Sequence, residues 1–398
     1  MTSSPLPILR LKPKTKPQAI RRGYPWVYAN EVVTDRRTKA IAPGAIALLE
    51  DAERSPLAVV AVNPESKIIG RVLDGPDGAV PDQAWFAARL SKALSLRERL
   101  FPAPFYRLIH AEADGLPGVI IDRFGDTAVI QPNAAWADKL LPELSAALAE
   151  VTGVTTILKN AGGRGRSLEG LDAEDAVLLG EAPTAPIPVT MNGAIYMADL
   201  MGGQKTGLFY DQRSNQSFAA GLADGARVLD VFSHVGGFGL AALAGGAVSA
   251  TCVDGSAAAL DLATEGATRM DMADKLTVTK ADAFAELTNL GDANAEFDVV
   301  ICDPPAFAPS HKARDAGLRA YERIARLSAP LVAEGGYLVL CSCSHAADLS
   351  AFTGACLRGI GRAGRRAQLI HTGQAGPDHP LMPQLAESGY LKALFFRL

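Results

Sequence analysis

The sequence predicts a doubly wound, Rossmann-like α/β sheet in its C-terminal half, preceded by a small β-barrel and a central α/β domain. Three observations carry this. From about residue 190, strand-type and helix-type runs alternate to the end. Before residue 79, short apolar runs are cut by Gly, Pro, Asn and Asp. Between these regions an amphipathic helix, a hairpin and a second helix follow in turn.

In residues 1–78 the strand-type runs are Ala45-Ile-Ala-Leu-Leu-Glu50, Pro56-Leu-Ala-Val-Val-Ala-Val62 and Lys67-Ile-Ile-Gly-Arg-Val-Leu73. The net charge of −4 excludes a uniformly basic nucleic-acid binder. The charge is uneven, however. Arg10, Lys12, Lys14, Lys16, Arg21 and Arg22 all precede the first acid, Glu31. Tyr24 and Trp26 lie beside this basic arm. Cations next to aromatic faces suit the phosphates and unstacked bases of RNA, although both rings also fit an ordinary core. Arg358, Arg362, Arg365 and Arg366 form a second basic cluster.

Residues 79–188 hold a helix from Asp82 to Phe101. A hairpin follows, of Gly118-Val-Ile-Ile-Asp122 and Thr127-Ala-Val-Ile-Gln131. A helix over about 137–151 and a strand at Thr155-Thr-Ile-Leu-Lys159 come next. Glu181-Ala-Pro-Thr-Ala-Pro-Ile-Pro-Val189 is Pro-rich and predicts a stiff linker.

Residues 189–398 carry the strands Arg227-Val-Leu-Asp-Val-Phe232, Ala250-Thr-Cys-Val-Asp254, Leu276-Thr-Val-Thr279, Phe297-Asp-Val-Val-Ile-Cys302 and Gly336-Tyr-Leu-Val-Leu-Cys341. Ala367-Gln-Leu-Ile-His371 and Leu391-Lys-Ala-Leu-Phe-Phe396 predict a closing strand pair. No apolar run reaches membrane-span length, and the start lacks a signal-type apolar region. A cytoplasmic protein with reduced cysteines is expected, with no membrane partner; a homodimer is admitted.

Ligands of doubly wound sheets bind at the carboxyl ends of the strands. The first strand leads into Asp230-Val-Phe-Ser-His-Val-Gly-Gly-Phe238. Gly236 and Gly237 let backbone approach a ligand beside Phe232 and Ser233. No G-x-G-x-x-G and no Walker lysine is present, so a pyrophosphate cradle is not expected. Asp230 suits a cationic amino-acid group. Asp254, followed by Ser256, stands where acids bind ribose hydroxyls. Asp282, followed by Ala283, can face an adenine amine. Amino acid, ribose and adenine together describe S-adenosylmethionine. Singly, each aspartate is equally a helix cap.

The fourth strand delivers Asp303-Pro-Pro-Ala-Phe307. The prolines fix the loop, Asp303 can bond a heterocycle or the cofactor, and Phe307 can stack on a base. The fifth strand delivers Cys341, Cys343 and His345, which share one face of an extended chain. No second cysteine pair completes a metal site. Cys341 and Cys302 are placed inside strands as small apolar residues. Cys343, at the strand end, is a candidate nucleophile. Carbon 5 of cytosine needs a thiolate on carbon 6, and help at ring nitrogen 3, before it can take a methyl group.

These residues resemble the bacterial large-subunit ribosomal RNA methyltransferase I family. The resemblance rests on Arg22-Gly-Tyr-Pro-Trp-Val27, Glu112-Ala-Asp-Gly-Leu-Pro-Gly-Val-Ile-Ile-Asp-Arg-Phe124 and Gln204-Lys-Thr-Gly-Leu-Phe-Tyr-Asp-Gln-Arg213. It continues in Phe232-Ser-His-Val-Gly-Gly-Phe238, Asp303-Pro-Pro-Ala-Phe307, Ser342-Cys-Ser344 and Asp378-His-Pro380. It implies an N-terminal PUA domain, a central α/β domain and a class I methyltransferase domain. It implies S-adenosyl-L-methionine as cofactor, large-subunit rRNA as partner, Cys343 as nucleophile, and Tyr210, Asp211 and Gln212 near the cofactor. The chain departs from the family at His234-Val, where Tyr-Thr is frequent, and at Ala306 and Ala325, where many members carry Lys and Asn. Other RNA cytosine-5 methyltransferases have a second cysteine after the fourth-strand prolines; this chain has none there. Two other readings are methylation of an exocyclic amine and a noncatalytic RNA-binding assembly factor.

Overall fold

The computed structural model describes residues 6–202 and 207–398. The extreme N-terminus and Gln204 to Thr206 of the Gln204–Arg213 motif lie outside the described residues. The chain forms two compact units: Met1–Thr184 with Asp378–Ser388, and Ala185–Pro377 with Gly389–Leu398.

The first unit holds two sheets. The elements of the first are β1 (Ile8–Arg10), α1 (Gln18–Arg21), β2 (Trp26–Tyr28), α2 (Arg36–Lys39), β3 (Ala45–Glu50), β4 (Pro56–Val62) and β5 (Ile68–Asp74). The strand order is β1-β3-β4-β5-β2, with β1 parallel to β3 and the other pairs antiparallel. Leu9, Val27, Val60 and Ile69 fill its core.

The second sheet begins after α3 (Gln83–Leu100), which Asp82 caps by accepting the Trp85 amide. Its elements are β6 (Phe105–His110), β7 (Val119–Phe124), β8 (Thr127–Pro132), α4 (Ala135–Lys139), α5 (Leu141–Thr152), β9 (Thr156–Lys159), α6 (Arg164–Leu168) and β10 (Ala176–Leu179). The order is β10-β9-β8-β7-β6. The single helix expected over about 137–151 is two helices. Pro142 sits at the start of α5, where its missing N–H costs nothing, and Leu140 leaves helical geometry to make the joint. Trp136 stacks on Phe86 at 5.8 Å in the core beneath.

The second unit opens with a hairpin, β11 (Ile187–Met191) and β12 (Ala194–Ala198). The Pro-rich segment expected as a linker therefore runs into a strand. A two-stranded ribbon has free edges, so Pro188 lacks no ladder bond. After α7 (Arg213–Ala220) come β13 (Arg227–Val231), α8 (Gly237–Ala244), β14 (Ser249–Asp254), α9 (Ala257–Arg269), β15 (Leu276–Lys280) and α10 (Ala283–Asp292). They continue as β16 (Phe297–Cys302), α11 (Arg314–Ser328), β17 (Val332–Ser342), α12 (Leu349–Arg362), β18 (Gln368–Gly373) and β19 (Lys392–Arg397). The order is β15-β14-β13-β16-β17-β19-β18. Strands β13 to β17 are parallel, and β19 is antiparallel between β17 and β18. The strand order reverses at β13 and β16, so a ligand crevice opens at their carboxyl ends.

Candidate active site

The loop after β13 is built around one buried acid. Asp230 is fully buried, and its Oδ2 accepts the amides of Phe238 at 3.1 Å and Gly239 at 2.8 Å. It therefore holds the first turn of α8. Burial pushes its carboxyl up to about 7 against the pull of those two amides. Gly236 has a left-handed φ of 80°, and Phe232 and His234 share that region at 65° and 51°. Gly239 is needed for space, since a Cβ there would meet Cys252 Sγ at 2.5 Å.

Several buried polar atoms around this loop lack a good partner: Asp230 Oδ1, Ser233 Oγ, Gln212 Nε2 and Gln216 Oε1. Ser233 Oγ and the Gln212 side-chain amide nitrogen lie against the thiols of Cys252 and Cys341, which are weak partners, while Gln212 Oε1 accepts Asn215 Nδ2 at 2.6 Å. Such atoms are costly unless a ligand completes them. Acceptors and a donor at this place fit the charged amino-acid end of S-adenosylmethionine.

The remaining cofactor candidates come from the ends of β14 and β15, the turn before α7 and the start of α8. Asp254 ends β14; its Oδ2 accepts the His234 amide at 2.9 Å and its Oδ1 the Ser256 amide at 2.8 Å. Ser256 caps α9 through the Ala259 amide. Asp282 is exposed and caps α10 through the Ala285 amide, so of its two possible roles the structure displays the cap. Ala283 is buried at the start of α10. Tyr210, Asp211 and Gln212 form one 3-10 turn before α7; Tyr210 is buried, and Asp211 Oδ2 accepts the Tyr390 hydroxyl at 2.6 Å. Gly237 opens α8 against the amide of Gln216.

The reacting end lies on the two neighbouring strands. Cys302 of β16 pairs with Leu340 of β17, so Asp303 and Cys341 occupy the next positions of adjacent strands. The Asp303 amide donates to Val231 O at 3.2 Å, tying it to the end of β13. Cys341 is buried, and burial pushes its thiol well above the ordinary range; Cys302 is pushed up to about 12. Cys252 and Cys356 are buried too, which leaves Cys343 as the one cysteine of five with solvent access.

Sequence reasoning missed what holds Cys343. Ser342 Oγ donates to the Tyr321 hydroxyl at 2.8 Å, and Ser344 Oγ accepts the Ala308 amide at 2.9 Å. Tyr321 comes from α11, about twenty residues away in sequence, with no local signal. Phe307 is less open than expected. Its ring packs at 5.1 Å from Tyr321, 6.1 Å from Phe284 and 6.4 Å from Phe232. It is a half-buried wall of the crevice.

In the first unit the basic arm is partly committed to the protein. Arg21 pairs with Asp51 at 3.1 Å, and Lys12 Nζ donates to Asn30 O at 2.8 Å. Lys14, Lys16 and Arg22 are exposed. Trp26 is not an open stacking platform. Its indole N–H donates to Glu112 at 2.8 Å, and Tyr24 and Tyr28 pack edge-on against it. A cleft of about 120 Å³, lined by Lys16, Ile20, Tyr24, Trp26 and Glu31, opens beside α1. Three of the four arginines of the second basic cluster are paired within the protein, and Arg366 is exposed. Arg358 and Arg362 both pair with Glu322, and Arg365 donates to Val332 O at 2.7 Å.

The segments around Glu112–Phe124 and Asp378–Pro380 meet in a buried network of the first unit. Arg97 makes a two-pronged pair with Asp114 at 2.7 Å and donates to Asp378 O at 2.9 Å. The Asp378 carboxylate accepts the Arg107 amide and contacts His379. His379 lies 4.9 Å from the ring of His110, whose proton affinity burial lowers to about 2. Among the described residues there is no group of three metal-ligating side chains. Among them, no helix is long and apolar enough to cross a membrane.

A family model for S-adenosylmethionine-dependent methyltransferases matches residues 143–397, so the doubly wound sheet is that of a methyltransferase. A PUA-like domain model matches residues 9–74. More particularly, the chain belongs to the ribosomal RNA large subunit methyltransferase I family. It is 32% identical over 403 residues to a member from Klebsiella pneumoniae, covering 100% of both chains. It is 35% identical over 409 residues to a ribosomal RNA large subunit methyltransferase of Deinococcus radiodurans, covering 100% of this chain and 99% of that one. Among solved structures, a SAM-dependent methyltransferase from Streptococcus mutans shares the fold, with a TM-score of 0.81 at 20% identity over 98% of this chain and 100% of that one. A second, crystallised with SAH, has a TM-score of 0.82 at 19% identity, covering 98% of this chain and 99% of that one.

Proposed function

We propose that this protein methylates carbon 5 of a cytosine in large-subunit ribosomal RNA, with Cys343 as the nucleophile. One observation carries the choice of atom: Cys343 alone of the five cysteines is not buried, and it stands at the crevice end of β17. S-adenosylmethionine supplies an electrophilic methyl group. Asp254 would hold its ribose, Asp282 and Ala283 would flank its adenine, and the loop from Asp230 to Gly237 would receive its amino-acid end. Gln212 and Ser233 complete that end.

The thiolate of Cys343 forms a bond to carbon 6, and the C5=C6 electron pair shifts into the ring. Asp303, in its carboxylic acid form, donates a hydrogen bond to ring nitrogen 3 and steadies that charge. Carbon 5 would then take the methyl group from the sulfonium, whose carbon–sulfur bond breaks and leaves neutral S-adenosylhomocysteine. Loss of the carbon 5 proton to water restores the double bond, breaks the carbon–sulfur bond and returns the thiolate. A thiol reaches carbon 6 only when the base has left its stack, so the target is an unpaired or locally opened cytosine.

Three domains serve this reading: 1–78 and the exposed Lys14, Lys16 and Arg22 for RNA, 79–188 as a central support, and 189–398 for catalysis. Its setting is the cytoplasm, where thiols stay reduced. Asp303-Pro-Pro-Ala-Phe307 favours the second reading, methylation of an exocyclic amine, which needs no cysteine. RNA with 5-fluorocytosine at the target decides between them, because fluorine cannot leave as a proton does. A denaturation-resistant adduct is expected with the native protein and with Cys341→Ala, and none with Cys343→Ala. Full methyl transfer by Cys343→Ala would establish amine methylation instead.

A further inference from the structure

Lys392 opens β19 and pairs in register with Ser342, one residue before Cys343. It is only 8% exposed. Its Nζ donates to Ser344 O at 2.7 Å and Ala347 O at 2.8 Å, so the amine is clamped against the loop that follows Cys343. Both carbonyls belong to that loop, and two of the three ammonium donors are spent on them. The charges that act on this ammonium favourably are Cys343 and Asp348, the cap of α12. Burial pulls the lysine below its usual range, and negative charge on those two groups opposes the pull.

We infer that Lys392 is a positioning residue that acts through Cys343: its buried ammonium holds the thiol as thiolate and fixes the loop that aims it. A lysine beside a thiol lowers the thiol's proton affinity, and a half-buried site screens that attraction poorly. Lys392 was invisible as a site residue in sequence because it lies 49 positions from Cys343, within an ordinary apolar strand. Lys392 from β19 and Tyr321 from α11 are both close enough to feel a charge on Cys343. Asp303 follows β16 beside Cys341, His345 lies two residues past Cys343 in the chain, and Asp348 acts on the ammonium. Lys392 is the lysine among them, and a positive charge on it favours the thiolate.

This inference rests on the proposed role of Cys343, but its test uses no RNA. The rate of iodoacetamide alkylation of Cys343, followed by peptide mass spectrometry, is measured against pH. The other four thiols are buried and stay silent. The expected midpoint of the full-length protein lies at least about one pH unit below the free-cysteine value of about 8.5. Lys392→Met should raise it by at least about one pH unit, and Lys392→Arg should bring it back down. A native midpoint at or above about 8.5 overturns the inference whether or not any variant folds. So does an unchanged midpoint in a folded Lys392→Met protein, which would leave the lysine a mere staple of the loop. A low midpoint with no 5-fluorocytosine adduct would remove the nucleophile and keep the Lys392 assignment.

Discussion

The hydroxyl of Tyr321 stands 2.8 Å from Oγ of Ser344. It thereby joins the end of β17, on both sides of Cys343, to the loop that carries Asp303, because Ser342 and Ala308 complete the chain. Tyr321→Phe removes one oxygen and takes one hydrogen-bond partner from each of two buried hydroxyls. A loss of about 1–3 kcal/mol in urea unfolding is expected. Methyl transfer in a single turnover should slow while S-adenosylmethionine affinity holds. Equal single-turnover rates in the two proteins would show that this chain is only structural.

Asp254→Ala should weaken S-adenosylmethionine binding by about 1.5–3 kcal/mol, the value of hydrogen bonds to a charged group. The variant also releases the His234 and Ser256 amides, so its fold is checked by circular dichroism. Titration calorimetry returning the native affinity would take Asp254 out of the site.

Asp230 gives a pH dependence of known sign. Its carboxyl ionises near 3.8 in an unperturbed chain and near 7 when folded. Between those values the folded state holds the extra proton, so stability falls as pH rises and the penalty is complete above about 7. Asp230→Asn keeps an oxygen for the Phe238 and Gly239 amides and removes the penalty. Its stability relative to the native protein should therefore rise between about pH 4 and about pH 8. The rise is on the order of a few kcal/mol, since each pH unit of displaced ionisation carries about 1.4 kcal/mol. Urea unfolding of cofactor-free protein at both pH values measures this, and a constant difference would contradict it.

For RNA, removing residues 1–22 is the wrong experiment. Leu9 and Leu11 are buried and β1 is part of the first sheet, so that deletion unfolds the sheet edge. Lys14, Lys16 and Arg22 are exposed and are changed together to Ser instead. The slope of log affinity against log salt should shrink by about 2, at about 0.7 per lost phosphate contact on single strands. An unaltered slope in filter binding would make these three residues plain solvated surface.

Much of the catalytic half is legible in the sequence because its signals are local. Five apolar runs, each closed by an acid, a glycine pair, tandem prolines or a cysteine, mark where parallel strands end. What each residue does there is less legible. The sequence alone points Asp230 at the cofactor, yet its Oδ2 is spent on the α8 amides, a bond that burial decides and sequence does not display. Phe307 and Trp26 pass for open rings because aromatic residues carry no mark of which face is covered. Tyr321 and Lys392 lie far from Cys343 in sequence, and only the pairing of β17 with β19 and the packing of α11 bring them near. In the first half, β6 and β10 lack a clear strand signal, and Pro142 divides a helix whose apolar spacing runs through the joint.

The first unit is not continuous along the chain. Residues 378–388 return to it, and there Asp378 receives Arg97 and the Arg107 amide. Synthesis runs from the N-terminus, so these two partners emerge from the ribosome about 270 residues before Asp378 does. Through most of translation the Arg97–Asp114 pair must stand without its third member. The first unit reaches its final state only after nearly the whole second unit has been made. Cutting the gene at residue 184 would therefore yield an unfinished piece with a buried guanidinium short of an acceptor.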